Sequence, residues 1–524
     1  MILTFCGQNY TLLRVTAATP EEMEIIKATC TEKVDRFVAR AKGHNGWDGS
    51  ISLVWWVEPY FYVPAACWQR LWNLRNPDPQ AYRPAYDVQF ENQELFFNKT
   101  ITLEEVQNFV ENLNPSFDDV TDQVTVLYSI IRHRMSSHTI ATGFGKTYLS
   151  YLLAQYAKQV LDGKTLLITP RVILVEQGVA DFNDYMKTIE PERHLKLYGI
   201  CGNFRNTCTF EEADVYIGTY QSLSLMPDDM FANVKAVICD EGHTSKAISV
   251  RDTVSKCKNT EIVTAISGTM GYMSGADALT VESVCGPLIS SYPAWKQIEK
   301  GRLPKIAMQQ IILRHTDGRE LYDQMLQQER LPKPTGGIPP ELAATYRRLE
   351  MKFLGDNIHM LNYILALCKQ ITDQNRNVLV IFKNRQPAIN LFEYANEQGH
   401  KAHLILGGTQ KDVRSGIKGQ IEREGGWILS CTDGVMSMGV SINNLHGLIL
   451  CMIGHSPHVT LQSVGRMLRN HPDKFQVTVC YDIVNDFTPI GSDYDLSNGA
   501  DRLKLYKNEN YPVYDRVIRD ASKY

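Results

Sequence analysis

The chain has 524 residues, 44% hydrophobic and 21% charged, with a net charge of −4. That length predicts three or four domains with ordinary globular cores. The longest apolar runs, such as 447–453, are strand-length and exclude a membrane span, and 1–10 lacks the basic region and apolar core of a secretory signal. The 12 cysteines include no CxxC pair, which predicts reduced thiols in a cytosol rather than a disulfide frame or zinc site. His455 and His458 have a spacing metals use, but no acid or thiol motif accompanies them. With this net charge, nucleic-acid binding would depend on local basic surfaces.

Residues 1–115 hold five of the seven tryptophans: Trp47, Trp55, Trp56, Trp68 and Trp72. Thr19 and Pro20 predict a helix start, with helical spacing to Ala41 and the cations Arg36, Arg40 and Lys42 near its end. A turn at Gly46-Trp47-Asp48-Gly49 leads to a strand over Ile51–Trp55. Two readings stand for this region. Either it is an accessory domain presenting aromatics and basic groups to nucleic acid, or the tryptophans form the core of a small sheet. Alternation predicts that one of Trp55 and Trp56 points inward.

Residues 116–299 read as alternating buried strands and helices. Ile140-Ala141-Thr142-Gly143-Phe144-Gly145-Lys146-Thr147 follows a polar segment and precedes a stretch with helical apolar spacing. Glycines let a backbone curl around a polyphosphate, and the following helix N-terminus adds partial positive charge. Lys146 is placed to reach the β- and γ-phosphates, and Thr147 to ligate Mg²⁺. The apolar runs 166–170, 215–219, 236–240 and 263–267 predict parallel strands buried on both faces, each ending in polar residues. Ligands in such sheets bind beyond the carboxyl ends of the strands. One of those ends carries Asp240, suited to the Mg²⁺ shell, and Glu241, suited to orienting or deprotonating a water.

Residues 300–486 predict a second α/β unit. A strand over Ile306–Leu313, an exposed loop over 332–340 and helical spacing over 341–371 come first. Strands then follow at 377–382, 402–406, 427–431, 448–452 and 476–480. Here Arg466 and Arg469, three apart on an expected helix, would share a face and supply positive charge to a developing γ-phosphate. The tail, 487–524, is expected to be helical, with an amphipathic helix over 500–508.

The stretches 141–147, Asp240-Glu241-Gly242-His243, Ser267-Gly268-Thr269 and 462–469 resemble, in order, motifs I, II, III and VI of superfamily 2 helicases. The turn over 45–49 and the tail around 501–506 are similar to those of phage recombination helicases. The resemblance implies an α/β fold of two tandem RecA-like parallel-sheet domains with a small N-terminal α+β accessory domain. It implies ATP and Mg²⁺ as cofactors, with Gln123 reading adenine, and Gly143, Gly145 and Gly439 also at the nucleotide. Coupling falls to His243, Ser267, Thr269 and Gln462. Thr169, Arg171, Thr219, Phe382, Lys383 and Thr432 would lie along the nucleic-acid groove, with Trp47 as a further contact. The implied activity is remodelling of branched DNA (forks, four-way junctions, R-loops) in the cytoplasm of an infected bacterium. Single-stranded DNA and RNA are further partners, and no membrane is involved. An RNA-remodelling ATPase and an ATP-switched nucleic-acid clamp remain alternatives, because phosphate contacts carry no sequence information.

Overall fold

The computed structural model describes the chain apart from residues 7–11, 17, 34–49, 58–59, 79, 81–84, 92–96, 116, 118, 203, 245–247, 274, 317, 334–340, 437–441, 452–453, 455, 473, 475–476 and 490–493. The chain divides into two compact units, Met1–Ala141 with Gly145–Tyr292, and Thr142–Phe144 with Pro293–Tyr524.

The first unit begins with a small mixed sheet. Its strands are β1 (Ile2–Cys6), β2 (Leu12–Thr16), β5 (Trp55–Val57), β6 (Tyr60–Pro64) and β7 (Gln89–Glu91), in the order β5-β6-β2-β1-β7. A separate ribbon pairs β3 (Thr31–Lys33) with β4 (Ser50–Ser52). Leu3, Leu13, Val63, Leu71 and Trp68 form the core beneath the sheet. The helix Pro20–Thr29 starts at a capping box, in which Thr19 Oγ1 accepts from Glu22 N at 3.2 Å and Glu22 Oε2 accepts from Thr19 N at 2.8 Å. The helix stops at Thr29 rather than continuing towards Ala41, because the chain turns there into β3. Arg36, Arg40, Lys42, Trp47 and the expected turn at 46–49 lie outside the described residues. The expected inward tryptophan is also corrected: Trp55 and Trp56 are 44% and 53% exposed, on a three-residue edge strand. Trp56 instead packs edge-on against Phe61, with ring centroids 4.5 Å apart.

A seven-stranded parallel sheet follows in the same unit. It contains β8 (Met135–Ile140), β9 (Lys164–Thr169), β10 (Leu197–Ile200), β11 (Val215–Thr219), β12 (Val234–Asp240), β13 (Ile262–Ser267) and β14 (Leu288–Tyr292). Their order is β10-β11-β9-β12-β13-β8-β14. Strand β8 lies between β13 and β14 although its sequence is polar, and Ser136, Ser137, His138 and Thr139 are all buried. Each finds an internal partner. Ser137 Oγ donates to Gly286 O (2.8 Å), His138 lies between Ser136 Oγ (2.9 Å) and Ser290 Oγ (2.7 Å), and Thr139 Oγ1 accepts from Gly271 N (2.9 Å). Burial holds the His138 imidazole down at about 3, so it stays neutral. Arg70 joins the small sheet's side of the unit to this one through Glu282, at 2.7 Å.

The second unit repeats the design. Its strands are β15 (Ile306–Arg314), β16 (Val378–Phe382), β17 (Ala402–Ile405), β18 (Ile428–Thr432), β19 (Gly447–Cys451), β20 (Thr478–Asp486) and β21 (Val513–Asp520). Their order, β17-β18-β16-β19-β20-β15-β21, is that of the first parallel sheet taken strand for strand. The helical stretch over 341–371 forms two helices, Ala343–Asp356 and Ile358–Thr372, divided at Asn357, whose side chain caps the second through Met360 N at 3.0 Å. The tail folds as the helix Tyr494–Asn508 and then supplies the edge strand β21, which the sequence reading lacks. Arg502 fastens this helix to the sheet. It is fully buried and lies 2.9 Å from Asp482 of β20, while Gln310 of β15 donates to the same carboxylate at 3.0 Å.

Candidate functional site

Polar groups gather where the strands of the first parallel sheet end. Beyond β8, Gly143 and Gly145 take left-handed backbone, with φ of 85° and 96°, a conformation side chains resist. The helix Lys146–Gln159 begins directly after Gly145. A Cβ on Gly145 would come within 3.2 Å of Gln123 Nε2, so the glutamine lies against the loop. Lys146 Nζ folds back to donate to Ile140 O at 3.3 Å, which holds the ammonium at the loop. Thr147 follows it in the first helical turn.

Asp240 and Glu241 leave the end of β12, and Glu241 has a φ of 50°. Such backbone is costly outside glycine, and here it turns the two carboxylates at the strand end. Burial pushes the Asp240 carboxyl up to about 6, the Glu241 carboxylate acts in the same direction, and the Lys146 cation opposes both. A carboxylate raised in this way has less positive charge around it than its ionised form needs. With the Thr147 hydroxyl, it fits a hard, oxygen-seeking cation such as Mg²⁺.

The end of β13 connects to this pair. Ser267 Oγ donates to Glu241 Oε2 at 3.1 Å, lies 3.0 Å from His243 Nδ1, and accepts from Thr269 N at 3.3 Å. His243, Ser267 and Thr269, three of the residues expected to couple, therefore meet at the Ser267 hydroxyl, which also bonds to Glu241. Gly242 is required here, because a Cβ would lie 2.6 Å from that of Ala265 on β13.

In the second unit, Gln462 and Arg466 lie on the helix Pro457–Met467. Arg469 does not, so the shared helical face expected for the two arginines is corrected: the helix ends at Met467, with Leu468 as its cap. One group missed in the sequence fixes that exit. Lys474 Nζ donates to Met467 O at 3.1 Å and to Arg469 O at 2.8 Å. Burial brings Lys474 down to about 7, the charges of Arg469 and Arg376 act in the same direction, and Glu422 opposes them. A cation within a few residues of a helix end was the available signal. Gly439 and His455 lie outside the described residues.

The expected groove residues divide. Arg171 and Lys383 are exposed, Lys383 in an ion pair with Asp433 at 2.9 Å. Thr169, Thr219 and Thr432 are buried at their strand ends. Thr169 Oγ1 donates to Arg171 O at 3.3 Å, and Thr219 Oγ1 accepts from Ser222 N at 3.3 Å. Phe382 is corrected. Its side chain is wholly buried in the core of the second unit, since the last residue of β16 points inward, and it has no face for a nucleic acid.

Residues 104–271 match the family described as "Type III restriction enzyme, res subunit", and residues 360–471 match "Helicase conserved C-terminal domain", together more than half of the chain. This chain is a superfamily 2 helicase. The helicase is 25% identical over 391 residues to the "ATP-dependent DNA helicase uvsW" of Enterobacteria phage T4, across 72% of this chain and 73% of that one. The crystal structure of T4 UvsW aligns with a TM-score of 0.47 and 19% identity, covering 99% of the helicase and 100% of that chain. A fragment of a putative HsdR subunit of a type I restriction enzyme from Vibrio vulnificus aligns at 0.53 and 15% identity, over 79% and 71% of the two chains, and shares the fold. Among the described residues, no helix is long and apolar enough to cross a membrane.

Proposed function

We propose that this helicase hydrolyses ATP to remodel branched DNA (forks, four-way junctions and R-loops) in the cytoplasm of an infected bacterium. The observation that carries the proposal is the meeting of Lys146, Asp240, Glu241, Ser267 and His243 at the carboxyl edge of one parallel sheet. The loop amides and Lys146 bind the phosphates, and Gln123 faces the base. Thr147 and Asp240 would hold Mg²⁺, which would supply positive charge to offset that of the phosphates. Glu241 orients the attacking water and takes its proton, and Ser267 fixes the carboxylate that does so. Ser267 also bears on His243 and Thr269, so a change at Glu241 reaches the neighbouring strand end. Arg466 and Arg469 supply positive charge to the transferring phosphoryl group, and Lys474 holds the segment that carries Arg469.

DNA as the substrate is carried over from the relative's name, and its branched form from the motif resemblance to phage recombination helicases and the exposed Trp55 and Trp56 of the N-terminal region. ATP turnover on single-stranded DNA, duplex, fork, four-way junction and single-stranded RNA tests it. Strongest stimulation by fork and junction supports the reading. Strongest stimulation by RNA replaces it with an RNA-remodelling ATPase, and binding without turnover on any of them leaves a clamp.

A further inference from the structure

A cavity of about 640 Å³ lies in the first unit, between the small N-terminal sheet and the seven-stranded one. That size is within the roughly 300–1,000 Å³ of ordinary ligand pockets. One wall is Leu12, Trp55 and Pro64 of the small sheet. The floor is Met135, Lys235 and Val263, at the amino ends of β8, β12 and β13. The phosphate loop and the carboxylates follow the carboxyl ends of the same strands. Val263 and Ser267 are four positions apart on β13, so roughly 13 Å of strand separates the cavity floor from Ser267.

Its charge is lopsided. Arg134, Lys235, Arg251 and Lys258 line it against the single carboxylate of Glu261. Glu261 is already occupied by Lys235 at 3.0 Å and Arg134 at 3.6 Å. Arg251 has no ionic partner among the described residues, and Lys258 reaches Asp228 only at 3.9 Å. The same cavity holds an exposed tryptophan ring on an edge strand. An open aromatic face beside unneutralised cations matches a base attached to a phosphate, because every base can stack and every nucleotide carries the anion.

We propose that this cavity takes one unpaired nucleotide of a nucleic-acid arm, its base on Trp55 and its phosphate against Arg251 and Lys258, an inference that rests on the branched-DNA reading above. The site lies on the far side of the sheet from the ATP loop, so it holds an arm without competing for the nucleotide that is hydrolysed. It also gives the N-terminal region a task that the strand ends of the two parallel sheets do not perform.

The test uses the full chain and fluorescence anisotropy without ATP. The probes are a labelled fork with an unpaired oligo-dT arm, the same fork with an abasic arm, and the fully paired duplex. Wild type should prefer the dT arm over the abasic arm. Trp55→Ala should lose about tenfold in affinity for the dT-armed fork and bind the abasic fork as wild type does, while Trp55→Phe keeps most of the preference. Arg251→Glu should weaken both armed forks and lower the salt dependence of binding. Matching thermal unfolding of each variant checks its fold. Equal affinity of wild type and Trp55→Ala for the dT-armed fork overturns the proposal. Displacement of the arm by free AMP at concentrations near its own affinity overturns it in favour of a mononucleotide site. The readout is binding alone, so a chain that fails to hydrolyse ATP would sink the enzymatic reading and leave this one standing or falling by itself.

Discussion

The two parallel sheets share one strand order yet finish their strands in opposite ways. After β8 the first sheet opens into a loop with left-handed glycines and the Lys146 ammonium. After β15, its counterpart, the second sheet closes: His315 is buried, stacks on Phe487 at 4.9 Å and bonds to Asn485 Oδ1 at 3.0 Å. After β13, Ser267 serves Glu241, whereas at the end of β20, Asp486 is occupied by Arg314 at 2.9 Å. The same fold thus builds a reactive edge when polar tips are left for a ligand, and a structural edge when they pair with each other. Fold alone does not assign chemistry.

Breaking the reactive edge should have the largest effect. Lys146→Ala is expected to abolish ATP turnover and tight nucleotide binding, measured by steady-state hydrolysis and by titration with a fluorescent ATP analogue. Arg469→Ala should bind ATP nearly normally but turn over about 10³-fold more slowly, a loss of about 4 kcal/mol. An unchanged maximal rate with poor ATP affinity would show that Arg469 serves ground-state binding.

The structural edge should fail differently. Arg502→Met leaves Asp482 buried without its cation, and breaking such a pair costs about 3–5 kcal/mol of stability. Denaturant unfolding should show that loss, while the Km for ATP of the protein that remains folded stays within a factor of two or so of wild type. A large rise in that Km would mean the second sheet's interior reaches the nucleotide.

The raised Asp240 carboxyl sharpens the contrast through pH. Its pKa of about 6 means that a proton competes with Mg²⁺ once the pH falls through that value, well above the range of an ordinary carboxylate. At limiting Mg²⁺, kcat/KM should drop about tenfold per pH unit below that point and recover as Mg²⁺ is raised. An acid limb insensitive to Mg²⁺ concentration would assign the titration to another group. Ser267→Ala should have the smallest effect, roughly tenfold on turnover, because it removes one hydrogen bond to Glu241 and leaves the carboxylate in place. Its junction-remodelling rate per ATP hydrolysed should fall as well, if Ser267 also couples the strand ends.

Most strands were legible because a strand buried on both faces must be a continuous apolar run, as at 166–168 and 378–382. Strand β8 was not, because its buried side chains are hydroxyls and an imidazole satisfied by neighbours distant in sequence. Strand β21 was not, because it is an edge whose Tyr514 and Ile518 stay exposed among charges. Reactive residues announced themselves through spacing, but direction did not. Phe382 sits at a strand tip and still faces inward, and Arg469 follows a helix end that its spacing from Arg466 could not reveal. The tail at 501–506, singled out in the sequence by its resemblance to phage recombination helicases, carries a buried structural arginine, a role set by Asp482 some twenty residues away.

The most direct test of the central claim, that the carboxyl edge of the first sheet hydrolyses ATP, is single-turnover ATP cleavage by Glu241→Gln in excess enzyme and Mg²⁺. The account predicts ATP bound as tightly as by wild type, but cleaved at least about 10²-fold more slowly, because the Mg²⁺-binding groups survive while the base is gone. Cleavage at the wild-type rate would contradict it.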